Sequence, residues 1–377
     1  MRQEIWYRRY DELSAEVERL RDEFRARCEH LGVNQETALR ELQAEVIARA
    51  VHESNWQEGL YLDPHRTREL TDLAFSKLPD IAGPHLDIDR LIDGHRSEVS
   101  YMKKQNSSVE EIAAYNLSKA HMALSLIRWD MSNRMSAILV AALKEFEESM
   151  PDVEAHIRNK SSLGEKDLDL LKILDNARTL INPLIESKTA IGFPITGDVS
   201  TEGEMLKQLM KLDSQTLYNL MHPSYLHALH RITLMGVHPN NKLGVFRKTS
   251  VHVGDDETYF PLPSAVPQMV QDFCEKFPNI SVNAKYDRIL MAAQMSHRFV
   301  RIHPYSDGNG RVSRLLMNLI LMREYPPVYL KADKKGRSRY IQSLRRANRG
   351  DVKPLGCLIA MSLIAIYTRA LDAISTN

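Results

Sequence analysis

The sequence contains little cysteine and almost no excess of charge. Its three cysteines, Cys28, Cys274 and Cys357, lie far apart and form no CxxC pair. This usage excludes a disulfide framework, argues against a thiolate metal site, and is typical of a reducing compartment. The 50 basic and 49 acidic residues give a net charge of +1, which disfavours a general nucleic-acid-binding protein.

Long apolar runs are scarce as well. The runs SAILVAAL and LLMNLILM are short and bounded by charged residues, whereas a membrane-spanning helix needs about 20 apolar residues. The first residues, MRQEIWYRRYDEL, are charged and contain no apolar signal-peptide segment. We therefore expect a soluble, cytoplasmic protein that has neither a membrane nor a nucleic acid as its partner.

Strand patterns are rare, and helical spacing of apolar residues dominates. Residues 9–30 predict an amphipathic helix, and residues 36–58 predict a second helix. The stretch IGFPITGDVSTEG, residues 191–203, is the best candidate for a domain boundary. The expected fold class is mainly α, with a helical N-terminal region at 1–110, a helical middle region at 111–200, and a third domain with C-terminal helices at 201–377.

One segment, residues 244–263, has a β pattern. Val245, Arg247, Val251 and Val253 alternate with polar residues, and a Gly-Asp-Asp turn follows. This pattern predicts a β-hairpin. A hairpin with no sheet to join is only marginally stable, so we expect it to lean on neighbouring helices.

The stretch HPYSDGNGR, residues 303–311, sets polar side chains and glycines between two helical patterns. Gly308 and Gly310 permit a tight turn and a close approach to a ligand. The turn leads into the N-terminus of the next helix, where free backbone N–H groups favour an anion. Arg311 and Arg314 lie on one face at this end, where their charge opposes the helix dipole unless a phosphate is bound.

The same stretch contains the groups that phosphate chemistry needs. Asp307 is a hard-oxygen ligand for a Mg²⁺ ion that accompanies phosphates. His303 is the only group in the stretch that accepts a proton near neutral pH. The chain contains no P-loop and no kinase signature, so no second nucleotide-binding motif competes with this one.

The string HPYSDGNGRVSR, residues 303–314, resembles the HPFx(D/E)GNGRxxR signature of the Fic (filamentation-induced-by-cAMP) family. Tyr305 stands where the family usually has Phe. The resemblance covers roughly residues 205–360, and the hairpin at 244–263 looks like the family's flap. It implies a Fic-fold helical bundle with a β-hairpin flap and a helical N-terminal extension.

The resemblance also implies an activity, the transfer of AMP from ATP to a Ser, Thr or Tyr hydroxyl of a protein. The target is unknown, with the chain itself as one candidate, and a homodimer is left open. By the same resemblance, His303 is the base and Asp307 holds Mg²⁺. The phosphates are bound by Gly308, Asn309, Gly310, Arg311 and Arg314, and the target by the flap residues Arg247, Thr249, Val251 and Val253.

A second motif, SNWQEG at residues 54–59, fits the [S/T]xxxE[G/N] pattern with which many Fic proteins restrain themselves. In this interpretation Ser54, Glu58 and Gly59 form an inhibitory motif, and Glu58 pairs with Arg314 in place of the γ-phosphate of ATP. The alternative is a helix that ends at a glycine cap after an exposed glutamate.

Other functions stay open at this point. The same site could remove AMP from a target or transfer another phosphate-containing group, and the chain could be a non-catalytic interaction scaffold. The stretch HPSYLHALH places His222, His227 and His230 close together, but no carboxylate or cysteine lies nearby in sequence to complete a metal site. We expect these histidines to be core or surface residues.

Overall fold

The computed structural model of the chain describes residues 9–33, 35–76, 86–127, 158, 221–251, 260–276, 287–322 and 324–375. The chain divides into a larger unit, Met1–Ala82, Leu86–Arg128 and Met221–Asn377, and a smaller unit, Gly83–His85 and Trp129–Leu220. The fold and the site that follow belong to the larger unit. The expected domain boundaries after residues 110 and 200 stay predictions, and the loop at 191–203 lies outside the described residues.

Helices dominate the described residues, which confirms the mainly α class. They are α1 (Tyr10–His30), α2 (Gln35–Gln57), α3 (Pro64–Ser76), α4 (Ile88–Lys104), α5 (described at 109–127), α6 (Pro223–Leu234), α7 (Val266–Glu275), α8 (Arg288–Ile302), α9 (Asn309–Leu321), α10 (Lys334–Ala347) and α11 (Lys353–Ser375). Two 3₁₀ turns lie at Asn240–Lys242 and Pro263–Ala265.

The hairpin expected at residues 244–263 is described only in its two arms, 244–251 and 260–263. Neither arm is a β-strand, and the bridge between Met235 and His238 is the one β-type pairing within the described ranges. The turn of the hairpin, with Val253, lies outside those ranges. The hairpin therefore stays a prediction.

Helices α8 and α9 form the centre of the core and hold the motif loop between them. Every residue of α9 is buried except Gly310, as expected for a helix that is apolar on most of its faces. The hydroxyl of Ser313 on α9 donates to the carbonyl of Ser296 on α8, 3.1 Å away. The two serine hydroxyls also lie 3.1 Å apart, so small side chains let the two helices on either side of the loop at 303–308 pack closely.

The first helix packs along the last one, α1 against α11. Val17, Leu20 and Phe24 are buried in α1, which confirms that this helix is amphipathic. The Tyr10 hydroxyl donates to a carboxylate oxygen of Asp287 at 2.6 Å, while the other oxygen of Asp287 caps the start of α8. The N-terminal helix is thereby fastened to the helix that leads into the motif loop.

Helix α11 is more apolar than a count of uninterrupted runs indicates. Its Lys353–Ile374 part is long and apolar enough to cross a membrane by length and composition alone, with a mean hydropathy of 1.7. A search for uninterrupted apolar runs does not detect this helix, because its apolar residues are interrupted by Ser362, Thr368 and Arg369. In the structure 44% of this window is buried, and the helix packs against α1, α8 and α10. Core helices of globular proteins pass the same test.

Candidate active site

The motif loop begins at a histidine in an uncommon backbone conformation. His303 ends α8 with φ 50° and ψ 58°, in the left-handed region. Its N–H still donates to the carbonyl of Phe299 at 3.1 Å, and Pro304 follows, which cannot continue a helix. The chain therefore leaves α8 abruptly at His303 and turns into the loop.

Asn309 closes the loop from its other end. Its side-chain oxygen accepts the Tyr305 N–H at 3.0 Å, and its amide nitrogen donates to the Tyr305 carbonyl at 2.8 Å. The Asn309 side chain is thus used inside the loop. What Gly308, Asn309 and Gly310 can offer to an anion is their backbone at the start of α9, where helical N–H groups lack intrahelical partners.

Two histidines of α6 pack against the motif loop. His230 stacks on the buried Tyr305 ring with centroids 3.8 Å apart, and the Tyr305 hydroxyl bonds Nδ1 of His227 at 3.1 Å. Nδ1 of His230 accepts the Gly244 N–H at 2.8 Å, so Nε2 carries the hydrogen and donates to the Asp307 carbonyl at 3.0 Å. His230 therefore fixes the backbone of Asp307.

The support by His230 was not predicted from the sequence. The HPSYLHALH cluster contains this residue, but no local sequence pattern predicts its contact with Asp307, 77 positions away. Burial lowers the pKa of His230 to about 4, so the ring is neutral and can both accept and donate. No group of three or more His, Cys, Asp or Glu residues forms a metal site in the described part of the chain.

The Asp307 carboxylate faces the side chains of His238 and Arg311. One oxygen lies 2.5 Å from Nε2 of His238 and 3.6 Å from Nη2 of Arg311, and the other accepts the Gly308 N–H at 2.6 Å. Burial raises the pKa of Asp307, but Arg311, the Gly308 N–H and His238 outweigh it and lower the pKa overall. The group is therefore ionised at neutral pH. His238 is a second neighbour that no sequence pattern indicated.

Arg311 has hydrogen-bond donors without acceptors. Its side chain is 3% exposed, and its Nε and Nη1 atoms are buried with no partner among the described residues. A buried donor without an acceptor costs about 1–3 kcal/mol. Burial lowers the pKa of Arg311 although Glu58 and Asp307 oppose it, so the site favours an anion beside this guanidinium.

Arg314, in contrast, makes three hydrogen bonds to the end of α2. Its Nη2 donates to Oε1 of Glu58 at 2.6 Å and to the carbonyl of Ser54 at 3.1 Å, and its Nε donates to the Ser54 hydroxyl at 2.8 Å. Burial lowers the pKa of Arg314, but the pairing with Glu58 outweighs it and raises the pKa overall. The expected contact between Glu58 and Arg314 is present.

Glu58 also approaches the glycine turn. A Cβ built on Gly310 would lie 2.6 Å from Oε1 of Glu58 and 3.2 Å from Nη1 of Arg314. The absence of a side chain at Gly310 therefore leaves room for an anionic oxygen between the start of α9 and Arg314. In this structure a carboxylate oxygen of Glu58 takes that position.

The end of α2 is shaped and anchored so that Glu58 points at the site. Gly59, with φ 80°, donates to the Trp56 carbonyl at 3.1 Å, and Leu60 donates to the Asn55 carbonyl at 3.0 Å. This is a Schellman cap, so Gly59 ends the helix as both interpretations of the motif expect. The Gln57 amide donates to the Leu330 carbonyl at 3.0 Å, which ties the last turn to the segment after α9.

The His303 imidazole has the protonation state of a base. Burial lowers its pKa to about 4, so the ring is neutral at pH 7. Nδ1 lies 3.3 Å from the Val300 carbonyl, an acceptor, so we assign the hydrogen to Nδ1. Nε2 is then left with a free lone pair.

The predicted target-binding residues do not share one environment. Arg247 is buried, Thr249 is exposed, and Val251 is half-buried, while Val253 lies outside the described residues. The Arg247 guanidinium is turned inward and bonds main-chain carbonyls. It cannot present its charge to a target in this conformation.

Comparison with known proteins assigns residues 220–321 to the Fic/DOC family. This range contains the whole loop and all of α9, so the resemblance of this part of the chain to the Fic family is confirmed. The inhibitory motif at 54–59 lies outside the matched range.

Named relatives share part of the chain. It is 41% identical over 133 residues to the protein adenylyltransferase Fic of Drosophila persimilis and to that of Drosophila melanogaster. The match covers 35% of this chain and 25% and 26% of theirs, so the chain spans about a quarter of the length of these curated relatives.

A solved structure shows the same fold. A Fic-domain-containing signalling protein from Bacteroides thetaiotaomicron matches with a TM-score of 0.50 and 17% identity. The match covers 95% of this chain and 98% of that chain. At this identity the likeness concerns the fold alone.

The glycine at the start of α9 offers a stability test. Gly308 has φ 76°, and a Cβ there would lie 2.8 Å from the buried Leu234 side chain, whereas Gly32 has φ 64° with open space around it. We expect Gly308→Ala to lower the free energy of unfolding by about 2 kcal/mol or more, from backbone strain plus overpacking. Gly32→Ala should cost only the backbone strain, about 1–2 kcal/mol. Urea denaturation measures both, and equal losses would show that Leu234 moves aside freely.

Proposed function

We propose that this chain is a protein adenylyltransferase that moves AMP from ATP to a Ser, Thr or Tyr hydroxyl of a target protein. The observation that carries this proposal is the loop around the start of α9. It brings a neutral imidazole at His303, an ionised carboxylate at Asp307 and the unpaired donors of Arg311 together. The names of the related Drosophila proteins support the same activity.

ATP would bind through its phosphates. Arg311 has two buried N–H groups to offer, and charge-assisted bonds to phosphate oxygens are among the strongest that arginine makes. The gap beside Gly310 admits an oxygen between α9 and Arg314. With Glu58 moved away, Arg314 can bind the terminal phosphate there.

Proton transfer would fall to His303. Nε2 accepts the proton of the target hydroxyl as its oxygen bonds to the α-phosphorus, the bond from that phosphorus to the bridging oxygen breaks, and pyrophosphate leaves. The Val300 carbonyl, which accepts from Nδ1, stabilises the imidazolium that forms. The target oxygen is then bonded to the α-phosphorus and no longer carries a proton, and the imidazolium returns the proton to solvent.

Asp307 fits a Mg²⁺ ion bound together with ATP. Mg²⁺ in such sites is held by one or two carboxylates together with the substrate phosphates, and bound there it neutralises the charge of the leaving pyrophosphate. Asp307 supplies one ionised carboxylate that is 43% exposed. His238 now pairs with one of its oxygens, so the ion would share or displace that contact.

The proposal is tested by the position of a label. Purified protein and its Glu58→Gly variant are incubated with Mg²⁺ and either α-labelled or γ-labelled ATP. Label from the α position alone on protein supports AMP transfer. Label from the γ position would indicate phosphate transfer, and no label from either variant would favour AMP removal or a scaffold.

Asp307→Ala should abolish the part of ATP binding that depends on Mg²⁺. The reason is the loss of the one carboxylate in the described loop that a hard cation can bind. Calorimetry with and without Mg²⁺ checks this, with Asp93→Ala as control, because Asp93 pairs with Arg96 on an exposed helix face. Equal heats in the Asp307 variant and the parent would remove Asp307 from the metal site.

A further inference from the structure

The side chain of Arg247 connects three separate pieces of main chain. Its Nε donates to the His303 carbonyl at 2.7 Å, Nη1 to the Thr249 carbonyl at 3.1 Å, and Nη2 to the Pro261 carbonyl at 2.6 Å. Its backbone N–H donates to the Pro304 carbonyl at 2.9 Å. These four bonds join both arms of the 244–263 segment to the first two residues of the motif loop.

The surroundings of Arg247 are unusual for a buried cation. The residue is 4% exposed, and no ion pair with a carboxylate is present for it within the described ranges. Burial lowers its pKa, and a buried charge is tolerated only when hydrogen bonds compensate it. The planar guanidinium, with five N–H donors in a fixed fork, suits acceptors that lie in several directions.

The carbonyl that Arg247 binds belongs to the residue in the left-handed conformation. A residue other than glycine rarely adopts φ 50° unless its surroundings hold it there. The second arm also touches the ring of His303, since the Phe260 ring lies 4.5 Å from it between centroids. The arms therefore hold both the backbone and the imidazole of the proposed base.

We propose that Arg247 is a positioning residue of the transfer reaction and not a target-binding residue. It couples the two arms to the His303 backbone, so that a hydroxyl bound against the arms is aligned with Nε2. This inference rests on the proposed function. In this role Arg247 makes no contact with ATP, because its hydrogen bonds go to main-chain carbonyls of the two arms and of the His303 end of the loop.

The kinetic test compares Arg247→Met, Arg247→Lys and Lys248→Met, all in the Glu58→Gly background. Lys248 is the exposed neighbour on the same arm, so its variant loses the same charge without these bonds. Arg247→Met should lower the rate of transfer at saturating ATP by at least about tenfold, because small displacements of reacting groups are costly. The Kd for ATP with Mg²⁺ should stay within about twofold.

The lysine variant separates charge from geometry. A lysine ammonium can reach one carbonyl but cannot span all three directions as the guanidinium does. Arg247→Lys should therefore recover only part of the rate, and Lys248→Met should behave as the Glu58→Gly parent. Full recovery of the rate in Arg247→Lys, or a loss of rate in Lys248→Met equal to that in Arg247→Met, would contradict the role of the guanidinium geometry.

Hydrogen exchange tests the same bonds without ATP or target. In Arg247→Met the amides of residues 247 and 303 should exchange faster than in Lys248→Met. Faster exchange supports the positioning role of Arg247 even if the Glu58→Gly parent transfers no AMP. Absence of transfer in that parent would contradict only the proposed function. Unchanged exchange, or a loss of ATP affinity as large as the loss of rate, would contradict the positioning role of Arg247.

Discussion

Replacing Glu58 with glycine should raise the rate of AMP transfer by at least about tenfold. A tenfold change corresponds to about 1.4 kcal/mol, which is less than the roughly 1.5–3 kcal/mol of one hydrogen bond to a charged group. The Glu58 carboxylate holds such a bond to Arg314 at 2.6 Å. Without it, the guanidinium is free to bind the terminal phosphate and bring the α-phosphorus into line. Self-modification with α-labelled ATP measures the rate.

Two further variants identify the cause of that increase. Glu58→Gln keeps the shape and one acceptor but removes the charge, so its rate should fall between those of the parent and Glu58→Gly. Arg314→Ala should be inactive with either residue at position 58, since the group for the phosphate is gone. If Glu58→Gly binds ATP normally but transfers no faster than the parent, SNWQEG is only a helix end.

His303→Ala should abolish transfer while ATP binds within a few-fold of the parent. Loss of a general base costs about 10²–10⁴-fold in rate, and His303 lies at the opposite end of the loop from Arg311 and Arg314. The Glu58→Gly background makes the loss measurable, and single-turnover kinetics together with calorimetry separate rate from binding.

The matched control for His303→Ala is His65→Ala. His65 is 84% exposed on α3, where its Nδ1 lies 3.5 Å from a carboxylate oxygen of Glu69, so its removal should leave the rate unchanged. Substantial transfer by His303→Ala would mean that another group takes the proton.

The sequence predicts the motif loop well because its chemistry is local. Gly308 adopts the positive φ that the glycine signal indicates, and Arg311 and Arg314 both lie at the start of α9. The contact between Glu58 and Arg314 joins residues 256 positions apart. Only the family resemblance predicted it, because periodicity and spacing contain no information about such distant pairs.

The features that escaped prediction depend on tertiary contacts. An alternating pattern places Arg247 on one face of a strand, but it cannot reveal that three main-chain carbonyls lie within reach of the guanidinium. His230 and His238 contact Asp307 from a different part of the chain, and sequence spacing cannot predict such contacts.

The most direct test of the account is the intact mass of Glu58→Gly after incubation with ATP and Mg²⁺. We expect an increase of one adenylate group for each modified side chain, and no increase when His303→Ala is added to the same variant. An increase of a phosphate group alone, or an unchanged mass while ATP is bound, would contradict it.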